Sequence, residues 1–203
     1  MFGRRIPALA ETGQRYDVIL ADPPWLYYGD QAKWTAAAKF YPLMSDDDIM
    51  ALPIGDLLAP TGIVFLWATS PRLDVALRCL DAWGLRYRGT AFVWIKVAAN
   101  GVPIGAQGVR PSITKPTSEF VLAGSRVARG RPMPVSDEAV PQVVLAPRQA
   151  HSQKPDAVAE RIERLYPQAR RLELFARQLR SGWSAWGDGL PADDRALLPD
   201  TPT

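Results

Sequence analysis

One cysteine, Cys79, and one histidine, His151, occur in 203 residues. A single thiol forms no internal disulfide, which fits a reducing compartment. A Cys/His zinc centre is likewise excluded, so no metal is expected. Long apolar runs are missing too. None approaches the roughly 20 residues that a membrane-spanning helix needs. Arg4 and Arg5 are not followed by an apolar stretch of signal-peptide length. A cytoplasmic protein with no membrane association is the expectation. Net charge is small, +3, which excludes a strongly polyionic chain.

Apolar residues are plentiful at 47 %, and with 203 positions they can build one sizeable core. One domain over residues 1–188 is expected, followed by a flexible tail at 189–203 rich in Pro and Asp. The charge is unevenly spread. Residues 1–100 hold 10 basic and 10 acidic side chains, whereas 101–182 hold 13 and 7. That basic excess suits a phosphate backbone, and ordinary solvated surface would also account for it. Seven Trp leave aromatic faces available for stacking on bases.

The most specific feature is Asp22-Pro23-Pro24-Trp25, which follows the apolar run Tyr16–Ala21. By ordinary residue usage this tetrapeptide arises in roughly one of a few thousand chains of this length. The carboxyl end of a strand in an open α/β sheet is where ligands bind. Asp22 supplies a carboxylate acceptor, and the two prolines supply carbonyls without a competing N–H. Such acceptors can take both hydrogens of a base's amino group and draw its nitrogen toward a tetrahedral state. Trp25 offers a flat face for the base. A proline-rich strand exit with a packed Trp is the plain structural alternative.

Periodicity and punctuation supply the rest. Ser45 caps a helix whose first turn is Asp46–Asp48. Consecutive acids there complement the helix dipole and are not read as a metal site. Pro53 ends this helix early, and Pro60-Thr61-Gly62 reads as a turn before the strand Ile63–Ala68. Leu73, Ala76, Leu77, Leu80 and Trp83 mark one helical stripe, with Cys79 in the core and Gly84 as C-cap. Strands are expected at Tyr87–Val97, Glu119–Ala123, Gln142–Leu145 and Arg171–Ala176, with Trp183–Trp186 pairing after a tight turn. Pro155 opens a helix lined by Val158, Ala159, Ile162, Leu165 and Tyr166. Alternating strands and helices point to a mostly parallel sheet with helices on both faces. The long stretch 26–44 holds several aromatics that could form a lid or merely anchor the chain. Residues 98–117 and the arginine-bearing 125–141 are the candidate nucleic-acid contacts.

In order along the chain, these motifs resemble the adenine-N6 methyltransferases typified by the catalytic subunit of the eukaryotic messenger-RNA adenosine methyltransferase. The resemblance covers about residues 16–188. It is carried by Asp22–Trp25, Tyr41-Pro-Leu-Met-Ser-Asp-Asp-Asp48, Ile63–Ala68, Phe92–Lys96, His151-Ser-Gln-Lys-Pro-Asp156, Leu172–Arg177 and Trp183–Gly187. It implies a Rossmann-like fold with the catalytic motif before the cofactor segment, and S-adenosylmethionine as methyl donor. By the resemblance Asp22, Pro23, Pro24 and Trp25 are catalytic. Asp22, His151, Ser152, Lys154, Arg177 and Asp188 would hold the cofactor. Tyr27, Tyr41, Trp67, Lys96, Arg110 and Lys115 would face the nucleic acid. Two positions depart from the pattern. No Gly-x-Gly follows Leu172–Phe175, and Asp188 stands where relatives more often carry Asn.

The implied reaction is methyl transfer to the amino nitrogen of adenine, in DNA before RNA, with base flipping on a duplex. The nitrogen loses its proton after alkylation, so no strong base beyond Asp22 is required. A catalytically silent nucleic-acid or partner-binding relative, and an enzyme acting on cytosine or a glutamine side chain, are the competing readings. The chain carries no evident extra recognition domain, so short or weak sequence specificity is expected. Monomer and homodimer both stay open.

Overall fold

A computed structural model describes residue 10 and residues 13–26, 43–105, 113–149, 153–187, 190 and 196–197. Eight strands form one sheet in the order β5-β3-β4-β2-β1-β6-β7-β8. They are β1 (Tyr16–Ala21), β2 (Leu58–Thr69), β3 (Arg86–Val97), β4 (Ser118–Ser125), β5 (Val143–Pro147), β6 (Arg171–Leu174), β7 (Trp183–Trp186) and β8 (Ala196–Leu197). The helices are α1 (Asp46–Met50), α2 (Ile54–Leu57), α3 (Leu73–Ala82) and α4 (Asp156–Leu165).

The core lies on both faces of β1, β2 and β4. Ile19, Val64, Leu66 and Leu122 pack with residues of α1, α2 and α3. Val18, Leu20, Phe65, Trp67 and Val121 pack with Val158, Ala159 and Ile162 of α4 on the other face. Strand residues alternate between these clusters because successive side chains point to opposite faces. Apolar residues on both sides are what a sheet covered by helices requires.

The sheet is mixed. The pairs β1/β2, β1/β6, β3/β5 and β6/β7 are parallel. However, β4 runs antiparallel between β2 and β3, and β8 runs antiparallel to β7. Strand β8 falls in the stretch expected as a tail. The expected tight turn before Trp183 is instead a crossover, because β7 runs parallel to β6.

Local chemistry explains the other differences. Pro60-Thr61-Gly62 is no turn but an irregularity inside β2: Tyr16 faces Leu58, while Val18 already faces Ile63. A proline gives the ladder no N–H, and a bulge accommodates it. Helix α3 is rolled relative to the expected stripe, leaving Leu77 41 % exposed while Val75 and Cys79 are buried. Its entry fixes the roll: a 3-10 turn at Ser70–Arg72 buries Arg72, whose guanidinium pairs with Asp46 of α1. Gly84 does close α3, with φ of +70° that favours glycine. Ser45 caps α1 by accepting from the Asp48 N–H.

Candidate active site

Parallel strands deliver their carboxyl ends to one edge of the sheet. Asp22 follows β1 there, and Glu173 and Phe175 lie at the end of β6. Because β4 is antiparallel, its first residues, Ser118 and Glu119, reach this same edge: Glu119 pairs with Thr69 near the end of β2 and with Trp94 on β3. Lys96 sits near the end of β3, and Lys154 precedes α4.

Four of these side chains form an alternating row of charges. Lys154 Nζ donates to Asp22 Oδ2 at 2.8 Å and lies 3.5 Å from Glu119 Oε2. Lys96 Nζ donates to Glu119 Oε1 at 2.6 Å. Each ammonium also lies over an indole: Lys154 is 5.4 Å from the Trp67 ring centroid, and Lys96 is 5.1 Å from that of Trp94. The two indoles meet edge to face. Such contacts favour the cationic forms.

Burial by itself would raise the Glu119 carboxyl, but Lys154 and Lys96 outweigh it and the net shift is downward. Burial by itself would lower the Lys154 ammonium, but Asp22 and Glu119 outweigh it and the net shift is upward. Both groups are therefore ionised at neutral pH. Glu173 has weaker compensation. Burial raises its carboxyl, Arg180 opposes this, Asp22 and Asp156 add to it, and the net direction is up.

Beside the row lies a cleft. Its apolar surfaces are Leu20, Trp67, Val158, Ala159, Leu174 and Phe175. Its polar rim includes Asp22, Gln153, Lys154, Glu173, Arg177 and Arg180. Apolar walls with a few convergent charges suit a small organic ligand that has both a cationic and an anionic end. Carboxylates can face cations and hydroxyls, Lys154 and Arg177 can face a carboxylate, and the apolar walls can take a heterocycle.

The prolines of the catalytic element are partly committed. Pro23 carbonyl accepts from the Trp25 N–H at 2.9 Å, and Pro24 carbonyl accepts from the Met44 N–H at 3.1 Å. Each carbonyl keeps a second lone pair. Trp25 differs from the expectation of an open stacking face. It is only 6 % exposed and packs in the core, and its Nε1 donates to the Trp67 carbonyl at 3.2 Å. A buried indole N–H needs a partner, and this one ties the turn to β2. Trp67 is buried as well, with its ring under Lys154.

Asp22, Trp67, Lys96 and Lys154 thus converge at one edge, and Arg177 lines the adjoining cleft. Arg177 is not at the end of a buried strand, since β6 stops at Leu174 and Arg177 is exposed in the following turn. Lys115 is exposed in the 98–117 segment. Tyr27, Tyr41, Arg110, His151, Ser152 and Asp188 lie outside the described residues.

The two candidate nucleic-acid segments separate. Residues 98–117 join β3 to β4 at the Asp22 edge. Residues 125–141 leave β4 at the opposite edge, because β4 runs the other way. Their cations serve internal contacts: Arg126 donates to the Gly55 carbonyl and Arg131 to Glu138. Met133, Val135 and Val140 pack against the α4-side core, so this stretch is a cover for that face. The stretch thus leaves the sheet at the edge away from Asp22.

Sequence reasoning missed Glu119, Glu173 and Arg180 as site residues. The signal for Glu119 was one acid at the head of the apolar run Phe120–Gly124; an acid there is buried only with partners. The missing Gly-x-Gly also has a structural counterpart. Phe175 itself takes φ of +62°, so a bulky residue holds the turn that glycine usually makes. Its ring meets Trp186 edge to face.

Comparison with known proteins agrees with this geometry. The chain is 30 % identical over 204 residues to the type II methyltransferase M.MunI of Mycoplasma sp, covering 92 % of this chain and 82 % of that one. It is 31 % identical over 194 residues to an N6-methyladenosine RNA methyltransferase of Pyricularia oryzae, covering 89 % and 48 %. It is 28 % identical over 180 residues to the human N(6)-adenosine-methyltransferase catalytic subunit METTL3, covering 87 % and 28 %. The chain thus spans less than half the length of these two eukaryotic proteins. The MT-A70 family profile matches residues 16–189, which takes in the charge row, the cleft and every strand from β1 to β7, and the chain belongs to the MT-A70 family.

Proposed function

We propose that this chain transfers a methyl group from S-adenosylmethionine to the N6 amino nitrogen of adenine in DNA. The observation that carries the reading is the Asp22 carboxylate, set at the exit of β1 between the cleft and the charge row and oriented by Lys154. Membership in a methyltransferase family supplies the reaction class.

When bound, S-adenosylmethionine supplies a methyl carbon activated by a sulfonium. The chain's own residues do the rest. Asp22 accepts from the adenine amino group, and the bond from Lys154 keeps the carboxylate aimed. Such pre-set acceptors stabilise charge where it develops, without reorganisation. Pro23 adds a carbonyl on a turn stiffened by Pro24. Trp25 holds that turn against Trp67. Glu173 would hold hydroxyl groups of the cofactor, while Lys154 and Arg177 would hold its carboxylate. Lys96 and Lys115 flank the side where residues 98–117 meet nucleic acid.

DNA is favoured because the relative matched over 82 % of its length is named a type II methyltransferase. RNA is the second reading, supported by the fungal RNA methyltransferase at 31 % identity. Tritiated-methyl transfer to matched single- and double-stranded DNA and RNA, with and without adenine, separates them. Adenine-dependent labelling of DNA is expected. Labelling confined to RNA would replace the DNA reading, and adenine-independent labelling would overturn the choice of base.

A further inference from the structure

The connection from β6 to β7 spans only residues 175–182, yet the two strands are parallel. Such a return ordinarily takes about a dozen residues or more. This short one begins on the positive φ of Phe175. Its first part is fixed to β7: Ala176 N–H donates to the Trp186 carbonyl at 2.9 Å, and Gly187 lies against the turn so closely that a Cβ there would sit 2.2 Å from the Ala176 oxygen. Its last part is fixed elsewhere. Arg180 donates to Asp156 Oδ1 at 2.8 Å, and its Nε lies 3.7 Å from Glu173 Oε2. Gln178 also donates to Asp156, at 3.1 Å.

Asp156 opens α4, two residues after Lys154. The segment around Lys154 and the 175–182 connection both line the cleft. Arg180 is the cation that joins them. Its side chain is 18 % exposed and that of Asp156 43 %, so solvent screens the bridge in part. A forked guanidinium can address two carboxylates at once, which a lysine ammonium does less well.

We infer that Arg180 is a positioning residue for the methyl donor: by bridging Asp156 and Glu173 it fixes the 175–182 connection, with Arg177, relative to the segment of Lys154 and so sets the shape of the cleft. The inference rests on the cofactor reading above. It acts through Asp156, so loss of either partner has the same consequence.

The test uses the full chain and the variants Arg180→Ala, Asp156→Asn, Arg180→Lys and the Arg180→Ala/Asp156→Asn pair. S-adenosylhomocysteine binding is read by calorimetry. Amide hydrogen exchange of residues 175–182 is read without ligand. Each single variant is expected to raise Kd roughly tenfold. The pair should be no weaker than the weaker single. The KM for S-adenosylmethionine should rise by about the same factor as the Kd and by more than kcat falls. Arg180→Lys should fall between wild type and Arg180→Ala, and exchange should quicken in every variant. Unchanged affinity in both single variants would overturn the inference. So would weakening by Arg180→Ala alone, which would mark a direct cofactor contact. A wild-type chain that binds no S-adenosylhomocysteine would overturn the cofactor reading; exchange in the same variants would then decide the bridge, quicker exchange upholding it and unchanged exchange overturning it.

Discussion

Lys154 Nζ meets Asp22 Oδ2 at 2.8 Å, joining the entrance of α4 to the exit of β1 across 132 positions of sequence. Neither residue explains itself alone. A carboxylate that accepts a charge-assisted hydrogen bond from an ammonium keeps one orientation, which an acceptor for an amino group requires. Lys154→Met is therefore expected to lower kcat by about 10- to 100-fold, in keeping with the loss of one preorganised electrostatic contact. Single-turnover methyl transfer measures it. An unchanged kcat would reduce the pair to a fold contact.

Glu119 carries a stability consequence with a definite sign. Its folded pKa is lowered, so its contribution is present above the ordinary glutamate value of about 4.3 and is lost as pH falls through the folded value. Lys154 is raised, so its contribution is present below the ordinary lysine value of about 10.4 and is lost as pH rises through the folded value. Glu119→Gln should cost about 1–3 kcal/mol at neutral pH, because two cations lose their shared acceptor. Urea unfolding at pH 7 and again at pH 3 checks this. The gap between wild type and variant should narrow at the lower pH.

Gly187 and Phe175 make opposite predictions. A methyl at Gly187 would collide with backbone atoms of Phe175 and Ala176, so Gly187→Ala should destabilise the chain or displace the turn. Phe175→Gly relieves a positive φ that costs on the order of 1–3 kcal/mol, but it removes an aromatic contact with Trp186. A thermal melt well below wild type is expected for Gly187→Ala. For Phe175→Gly a smaller change is expected, together with weaker S-adenosylhomocysteine binding by calorimetry.

Trp25 is expected to act through packing. Trp25→Phe keeps an aromatic ring and loses the Nε1 bond to the Trp67 carbonyl, at a cost of about 1 kcal/mol. Denaturant midpoints measure that cost. Nucleic-acid KM should stay near wild type, whereas a base stacked on this indole would make KM rise.

The separation of the two loops is equally testable. Lys115→Glu at the Asp22 edge should weaken nucleic-acid binding and flatten its salt dependence. Arg129→Glu at the far edge should leave both near wild type. Filter binding across a salt series distinguishes them, and equal effects would contradict the assignment of edges.

Local signals were legible wherever one segment determined the outcome. Tyr16–Ala21, the Ser45 cap, the Gly84 cap and the buried Cys79 each follow from neighbouring residues. The place of Asp22 at the exit of β1 follows in the same way, whereas Lys154 is named only through the family resemblance, and its pairing with Asp22 is a contact across the sheet. What escaped was set by pairing across the sheet. The antiparallel course of β4 cannot be read from Ser118–Ser125, yet it brings Glu119 to the active edge and carries Arg126 away. The roll of α3 depends on Arg72 finding Asp46. The parallel return to Trp183 depends on a positive φ at Phe175 and on the close approach of Gly187 to the backbone of Ala176, neither of which periodicity flags. Trp25 could be read from sequence either as a stacking face or as a packed ring, and its bond to the Trp67 carbonyl on β2, which decides for packing, lies 42 positions away.

The most direct test of the account is single-turnover methyl transfer by Asp22→Asn, run alongside S-adenosylhomocysteine calorimetry and a thermal melt. The expected result is a loss of about 100-fold or more in transfer, with cofactor binding and melting close to wild type. Transfer at the wild-type rate would contradict the assignment of Asp22 as the acceptor for the adenine amino group.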